Sequence, residues 1–366
     1  MKEIVMGFYG IMVILVLSFT NCTSSIGDDP ASGSVNRSPV NNSLNWLIPK
    51  NEVFDGGPGK DGIPALTNPN LIPISQATYL SPDDLVLGFF EEGVARAYPH
   101  RILDWHEIIN DDFPSTSVAV IYCPLTGTGI GWDRNLQDGN TTFGVSGLLY
   151  NTNVIPYDRL TGTNWSQIAL LAVNGDLEGT IPNVVNLIET TWKTWQEMYP
   201  NTLVVSNNTG HNRNYSKFPY GDYKTNNNSI FFPISKKDER LPAKERVLAI
   251  IGENKVNAYS IELFGNANQL FEDDLEGKDM VIIGNKTKNF IVAFQKKLRD
   301  GTMVELSLIE GLGPEILQDA NGNKYDAFGN VVSGPKLGQR LLSIPQMMGY
   351  WFAWAPFYET VDIFEP

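Results

Sequence analysis

The sequence predicts a β-rich α+β fold made of two tandem similar halves packed about a pseudo-twofold axis. Three observations carry that expectation. Short β-branched or aromatic runs punctuated by Gly, Asn and Asp recur along the chain, as half-buried strands require. Val86 to Tyr98 aligns with Val247 to Tyr259 at an offset of 161, both reading strand, polar turn, strand, Ala-Tyr. Further matches hold the offset between 159 and 162, from Val118–Ile121 on Met280–Ile283 to Trp192–Trp195 on Trp351–Trp354. Such a drift over more than a hundred positions marks an internal repeat.

From the N-terminus, Met1-Lys2-Glu3 precedes an apolar run from Ile4 to Phe19, which ends close to Cys22. Sixteen residues are short of the ~20 that a membrane span needs, but they suit a signal-peptide core. A charged start, an apolar core and a cysteine followed by a Ser/Asn/Gly/Pro-rich tether resemble a bacterial lipoprotein signal. On this reading residues 1–21 are removed, Cys22 is lipidated, and 22–45 tether the protein to a cell-envelope membrane, facing the periplasm or the exterior. Residues 46–84 form an extension with a Gly/Pro loop, 85–205 the first half, 206–245 a connecting segment and 246–366 the second half. In the first half the strands are expected at 86–90, 94–98, 118–122, 129–132, 142–145 and 203–206. Ile102, Trp105, Ile108 and Ile109 predict a helix from Pro99 to Asn110, and a second short helix is expected at 190–199.

Composition narrows the function classes. Lys plus Arg number 27 against 41 Asp plus Glu, a net charge of −14, so no basic stripe offers a nucleic-acid surface. Hydrophobic residues at 42% and aromatics at 11% argue for a folded core rather than disorder. Two cysteines and three histidines exclude a disulfide scaffold and a Cys₄ metal site.

The chemistry-bearing candidates lie in the first half. Cys123 ends an apolar strand before Pro124 and a Gly-rich turn, whose amides can face an anion. His106 is the neighbouring imidazole candidate, able to deprotonate that thiol or share a transition metal with it, copper first. The equivalent second-half positions are Ala267 and Asn285, so both groups are absent there while the apolar frame persists. The alternative is a small buried cysteine and a core histidine. Tyr122, Thr128, Asp61, Arg159 and Arg213 are candidate wall and binding residues, the two arginines either orienting a carboxylate or pairing structurally. Gly127-Thr128-Gly129 fits a hairpin turn rather than a nucleotide loop. Cys123-Pro124-Leu125-Thr126 lacks the second cysteine that intramolecular dithiol cycling needs.

Several segments together carry a more specific likeness: Gly56-Gly57-Pro58-Gly59-Lys60-Asp61-Gly62-Ile63-Pro64, Trp105-His106-Glu107-Ile108-Ile109-Asn110-Asp111, Tyr122-Cys123-Pro124-Leu125-Thr126-Gly127-Thr128, Tyr157-Asp158-Arg159 and Thr209-Gly210-His211-Asn212-Arg213-Asn214-Tyr215. With them the chain resembles the bacterial "domain of unknown function 3179" family from about Trp46 onward. The resemblance implies secreted or membrane-anchored relatives and no particular reaction. Two functions are therefore expected: an envelope protein with a Cys123–His106 metal or thiol site, or a non-catalytic binding or assembly module presenting an aromatic cleft to a peptide or glycan; the sequence does not identify a small-molecule or protein partner.

Overall fold

The computed structural model describes residues 45–310, 313 and 315–366; the leader, Cys22 and nearly all of the tether fall outside them. The chain is mostly β, with two short α-helices, His100–His106 and Trp192–Met198. The α+β expectation is corrected accordingly. Most of the helix expected from Pro99 to Asn110 does form, but it stops at His106, and Ile108–Asp112 is a strand. The apolar pair at its end explains the difference. Ile108 and Ile109 enter different cores, the alternation of a strand rather than one helix face. Trp192–Met198 begins where expected, with the Thr191 hydroxyl accepting from Thr194 N at 3.2 Å as its N-cap.

The first-half strands form where the apolar runs lie. Leu85–Glu91 and Val94–Pro99 make a hairpin, flanked by antiparallel Ile188–Thr191 and parallel Leu203–Val205, with Leu71–Pro73 outermost. Ile108–Asp112, Ser117–Cys123 and Thr128–Asp133 form a meander. Phe143–Tyr150, Asn153–Asp158, Asn164–Ser166 and Leu171–Asn174 form a third antiparallel sheet, bordered by Val53–Asp55.

In the second half, Arg246–Ile251 and Lys255–Ser260 form a hairpin flanked by antiparallel Gln346–Tyr350 and parallel Thr360–Ile363. Gln269–Leu275, Lys278–Asn285 and Phe290–Gln295 make a meander. Leu306–Leu308, Glu315–Asp319, Lys324–Asp326 and Val331–Ser333 make a four-stranded sheet. Register shifts interrupt pairing at Asn164/Trp165 and at Lys324/Tyr325. Beside each, a buried carboxylate accepts from the following aromatic: Asp158 from Trp165 Nε1 at 3.1 Å, Asp319 from Tyr325 OH at 2.7 Å.

Two large cores each draw side chains from both halves, so neither half buries its own apolar surface alone. Ile188–Thr191 packs on Phe290–Gln295, and Gln346–Tyr350 packs on Thr128–Asp133. The Thr190 hydroxyl donates to Lys288 O at 2.7 Å, and Tyr350 N donates to Thr126 O at 2.8 Å.

Candidate functional site

The site is organised by the end of the first helix. Pro99 enters it at φ −66°, which suits a residue just before the first turn, and Glu107 leaves it at φ +57°, a left-handed conformation uncommon for a side chain with a Cβ. Glu107 N donates to Leu103 O at 2.8 Å, and Tyr122 N donates to Glu107 O at 2.7 Å, so the reversal is held from both sides. His106 and Glu107 consequently serve different surroundings.

His106 has both ring nitrogens engaged, Nδ1 with Pro64 O and Nε2 with Tyr215 OH, each at 2.7 Å. A carbonyl only accepts, so Nδ1 carries the proton and Nε2 accepts from the phenol. The Tyr215 oxygen is then free to accept from the Thr209 hydroxyl at 2.5 Å. Burial pushes the imidazole down to about 4, with His211 and Arg213 adding to the effect and the Pro64 carbonyl opposing it. At neutral pH it is an uncharged, fully hydrogen-bonded ring.

Glu107 instead faces a cavity of about 430 Å³. Burial alone raises its carboxyl to about 8, with no cation to offset it. Among the described residues no donor hydrogen-bonds to that carboxyl. Strand 143–150 supplies Val145 and Leu149 to the wall, joined by Val154 and Leu125. The opposite wall is Phe218–Gly221 and Phe231–Phe232 of the connecting segment, and Gly56, Pro58 and Ile63 close one side.

The Gly/Pro loop is tied into place by Asp61. Gly56 N donates to Gly147 O at 2.7 Å and Asp61 N to Val145 O at 2.8 Å. The Asp61 carboxylate accepts from Tyr157 OH and from Arg159 Nη2, the latter at 2.8 Å, while Lys60 Nζ lies 3.8 Å from the Tyr157 ring centroid. At Gly147 a Cβ would come within 2.7 Å of the Gly59 carbonyl, and φ is +80°, so only glycine allows the loop this approach. Asp61 and Arg159 thus come together as a structural pair.

Cys123 is buried behind the cavity, its Sγ 3.7 Å from Thr152 O. Burial, with Glu107 nearby adding to it, pushes the thiol up to about 11. At neutral pH it is a thiol, not a nucleophilic thiolate. Lys244 is another buried group of this region. Its Nζ lies 3.2 Å from the Tyr223 ring centroid and 4.6 Å from that of Phe352, without a hydrogen-bond partner among the described residues. Burial pushes it down to about 7, and Cys123 raises it slightly.

Cys123 and His106, expected from the sequence to share a site, each have other hydrogen-bond partners in the structure. A shared metal would need the His106 Nε2 lone pair, which Tyr215 occupies, while the partner of Cys123 is the Thr152 carbonyl. Among the described residues no group of three or more His, Cys, Asp or Glu is placed to hold a metal ion. Tyr122 packs against His100 with ring centroids 4.5 Å apart. Thr128 donates to Gln167 Oε1 at 2.6 Å and accepts from Asn153 Nδ2 at 3.2 Å, so its hydroxyl is committed. Arg213 lies 5.8 Å from the Trp105 ring centroid. In the second half Asn285, at the strand end matching Cys123, donates to Asn268 Oδ1 at 3.1 Å. The sequence reading passed over Glu107 and Lys244. For Glu107 the available signal was a carboxylate between two apolar positions, Trp105 and Ile108.

No curated protein and no solved structure matches the chain. A family model, described as a protein of unknown function (DUF3179), matches residues 60–361. That span takes in the Asp61 loop, Glu107, Cys123 and both halves, and the chain belongs to this family.

Proposed function

We propose that this chain is a lipid-anchored bacterial cell-envelope protein whose first half binds a small, largely apolar molecule, or an apolar peptide side chain, in the Glu107 cavity. One observation carries the reading: a single carboxyl, set by a left-handed helix stop, faces a space otherwise walled by aliphatic and aromatic groups. Cavities of this size and character are ligand sites, and their few polar groups fix orientation. Glu107 is protonated at neutral pH, so it can donate one hydrogen bond and accept another without leaving a charge in the cavity. The protonated, enclosed Cys123 thiol supports binding over thiol chemistry.

N-phenyl-1-naphthylamine, an apolar fluorophore with one N–H, tests the cavity. It should bind saturably with one site per chain, and Val154→Trp, which fills the space, should weaken binding at least tenfold while circular dichroism stays unchanged. Absence of saturable binding, or equal binding to the filled variant, would refute the reading.

The anchor rests on the N-terminal sequence. Cys22→Ser is expected to move the protein from the membrane fraction to the soluble fraction, and retention in the membrane would refute lipidation. No helix among the described residues is long and apolar enough to cross a membrane.

We further propose that the halves descend from a tandem duplication and pack about a pseudo-twofold axis. Support comes from the recurring strand orders, the matching register shifts with their Asp158 and Asp319 carboxylates, and the reciprocal packing of Ile188–Thr191 and Gln346–Tyr350. The cavity carboxyl and the thiol belong to one half only, as expected if one copy kept the frame and the other the site. An experimental structure in which residues 85–205 do not superpose on 246–363 would remove the duplication.

A further inference from the structure

A second cavity, of about 510 Å³, opens between the halves, away from Glu107. Its second-half side carries Arg299 and Arg340. Among the described residues Arg96, Arg101, Arg134, Arg159, Arg240 and Arg246 each have a carboxylate within 4.0 Å; neither Arg299 nor Arg340 does. The two are cross-strand neighbours, Arg299 N donating to Arg340 O at 3.0 Å. Burial, and the positive charge of Arg299 beside it, lower the pKa of Arg340, with Asp326 and Glu91 opposing them. Asp326 and Glu91 offset part of this charge, but neither stands within ion-pair distance, so among the described residues no carboxylate closes on either guanidinium. Arg340 Nε is also buried without a partner.

The same cavity holds an unpartnered acceptor. Asn186 donates its amide Nδ2 to Ile344 O at 2.8 Å, which turns its Oδ1 to the other side, and that oxygen is buried without a donor. Glu91 also lines the cavity, and Phe90 and Phe328, with centroids 6.4 Å apart, add aromatic surface. Orphaned buried polar atoms are rare in folded proteins and call for a partner. Here, among the described residues, an arginine pair has no carboxylate within ion-pair distance, and a buried acceptor lacks a donor.

We infer that this inter-half cavity binds a small zwitterion, an α-amino acid or short peptide, with its carboxylate on Arg299 and Arg340 and its ammonium toward Asn186 and Glu91. Arginine suits the first contact because its planar fork can grip a carboxylate bidentately. A doubly charged anion such as phosphate is disfavoured by Glu91 and Asp326 in the same lining. The aromatic surface favours an apolar or aromatic side chain.

The test is calorimetric titration of the full chain with L-phenylalanine. Saturable binding is expected at millimolar or lower concentration, falling at least tenfold in Arg299→Gln and in Arg340→Gln, and partly restored in Arg340→Lys. 3-Phenylpropionate, which lacks the ammonium, and phenethylamine, which lacks the carboxylate, should each bind at least tenfold more weakly. No binding up to about 10 mM, where only contacts worth less than about 3 kcal/mol escape detection, would overturn the proposal. So would binding indifferent to both arginine variants, or inorganic phosphate binding more tightly than phenylalanine. Because this cavity is separate from that of Glu107, Val154→Trp should leave phenylalanine binding unchanged.

Discussion

Arg246→Met is expected to destabilise the protein by about 3–5 kcal/mol, the usual cost of removing one partner from a buried ion pair. Arg246 opens the second half, and its guanidinium reaches into the first. Nη2 meets the Glu189 carboxylate, and Nη1 donates to Gly127 O at 2.6 Å. Glu189 is fully buried, and its other oxygen lies 3.3 Å from His100 Nε2. Burial alone would raise this carboxyl, but Arg246 and His100 outweigh it and hold it down at about 2. Without the guanidinium a charged or newly protonated carboxyl remains in the core. The loss should appear in chemical denaturation at pH 7, and Arg246→Met with Glu189→Met should recover most of it, because the pair's desolvation cost disappears with both charges. A carboxylate with a depressed pKa stabilises the fold above its unfolded value, near 4.5, and that contribution is lost as pH falls toward about 2. The gap between parent and Arg246→Met should therefore narrow below pH 4.5. A single variant within about 1 kcal/mol of the parent would mean that the halves are held together by their shared cores alone.

The hairpins and the meander strands were legible because strand burial leaves a local record in β-branched runs and turn residues. The 85–91 and 94–99 hairpin and its 246–251 and 255–260 counterpart lie within a residue or two of their expected bounds. The first helix was overextended because Ile108 and Ile109 continue a helical spacing that only tertiary contacts break. One is taken by each core, and Tyr122 N captures the Glu107 carbonyl. The partners of Cys123 and His106 were illegible for a related reason. Closeness in sequence and shared absence from the second half carry no information on orientation, and the imidazole is engaged by Pro64 and Tyr215, distant in sequence. The cavity was illegible because one of its walls, Phe218–Gly221 and Phe231–Phe232, comes from a segment without regular secondary structure, brought in over a separation of about a hundred residues. The unpaired Arg299 and Arg340 are invisible in sequence too, because composition counts charges without saying which have partners.

Glu107→Gln should abolish the pH dependence that the cavity imposes on the fold. In the native chain burial raises this carboxyl from 4.5 to about 8, so the folded state holds its proton where the unfolded state has released it. A raised carboxyl contributes no penalty below pH 4.5. Between 4.5 and about 8 the parent progressively loses stability, and above 8 the full cost of the buried charge is present. Glutamine keeps the shape and the hydrogen-bonding capacity but cannot ionise. The variant should match the parent at pH 4.5 and exceed it by about 2–4 kcal/mol at pH 9. Naphthylamine binding separates this from a merely structural role. In the parent, affinity should fall as pH rises through about 8, when a charged carboxylate draws water into the apolar cavity, whereas in the variant it should stay level. Parallel stability profiles for the two proteins would show that Glu107 is not buried as a neutral acid, and the polar anchor of the binding site would then have to be sought elsewhere on its wall. On the proposed reading a ligand that uses the proton offsets the cost of this residue and of the left-handed backbone that carries it, so glutamine should gain stability in the free protein and lose the pH dependence of binding.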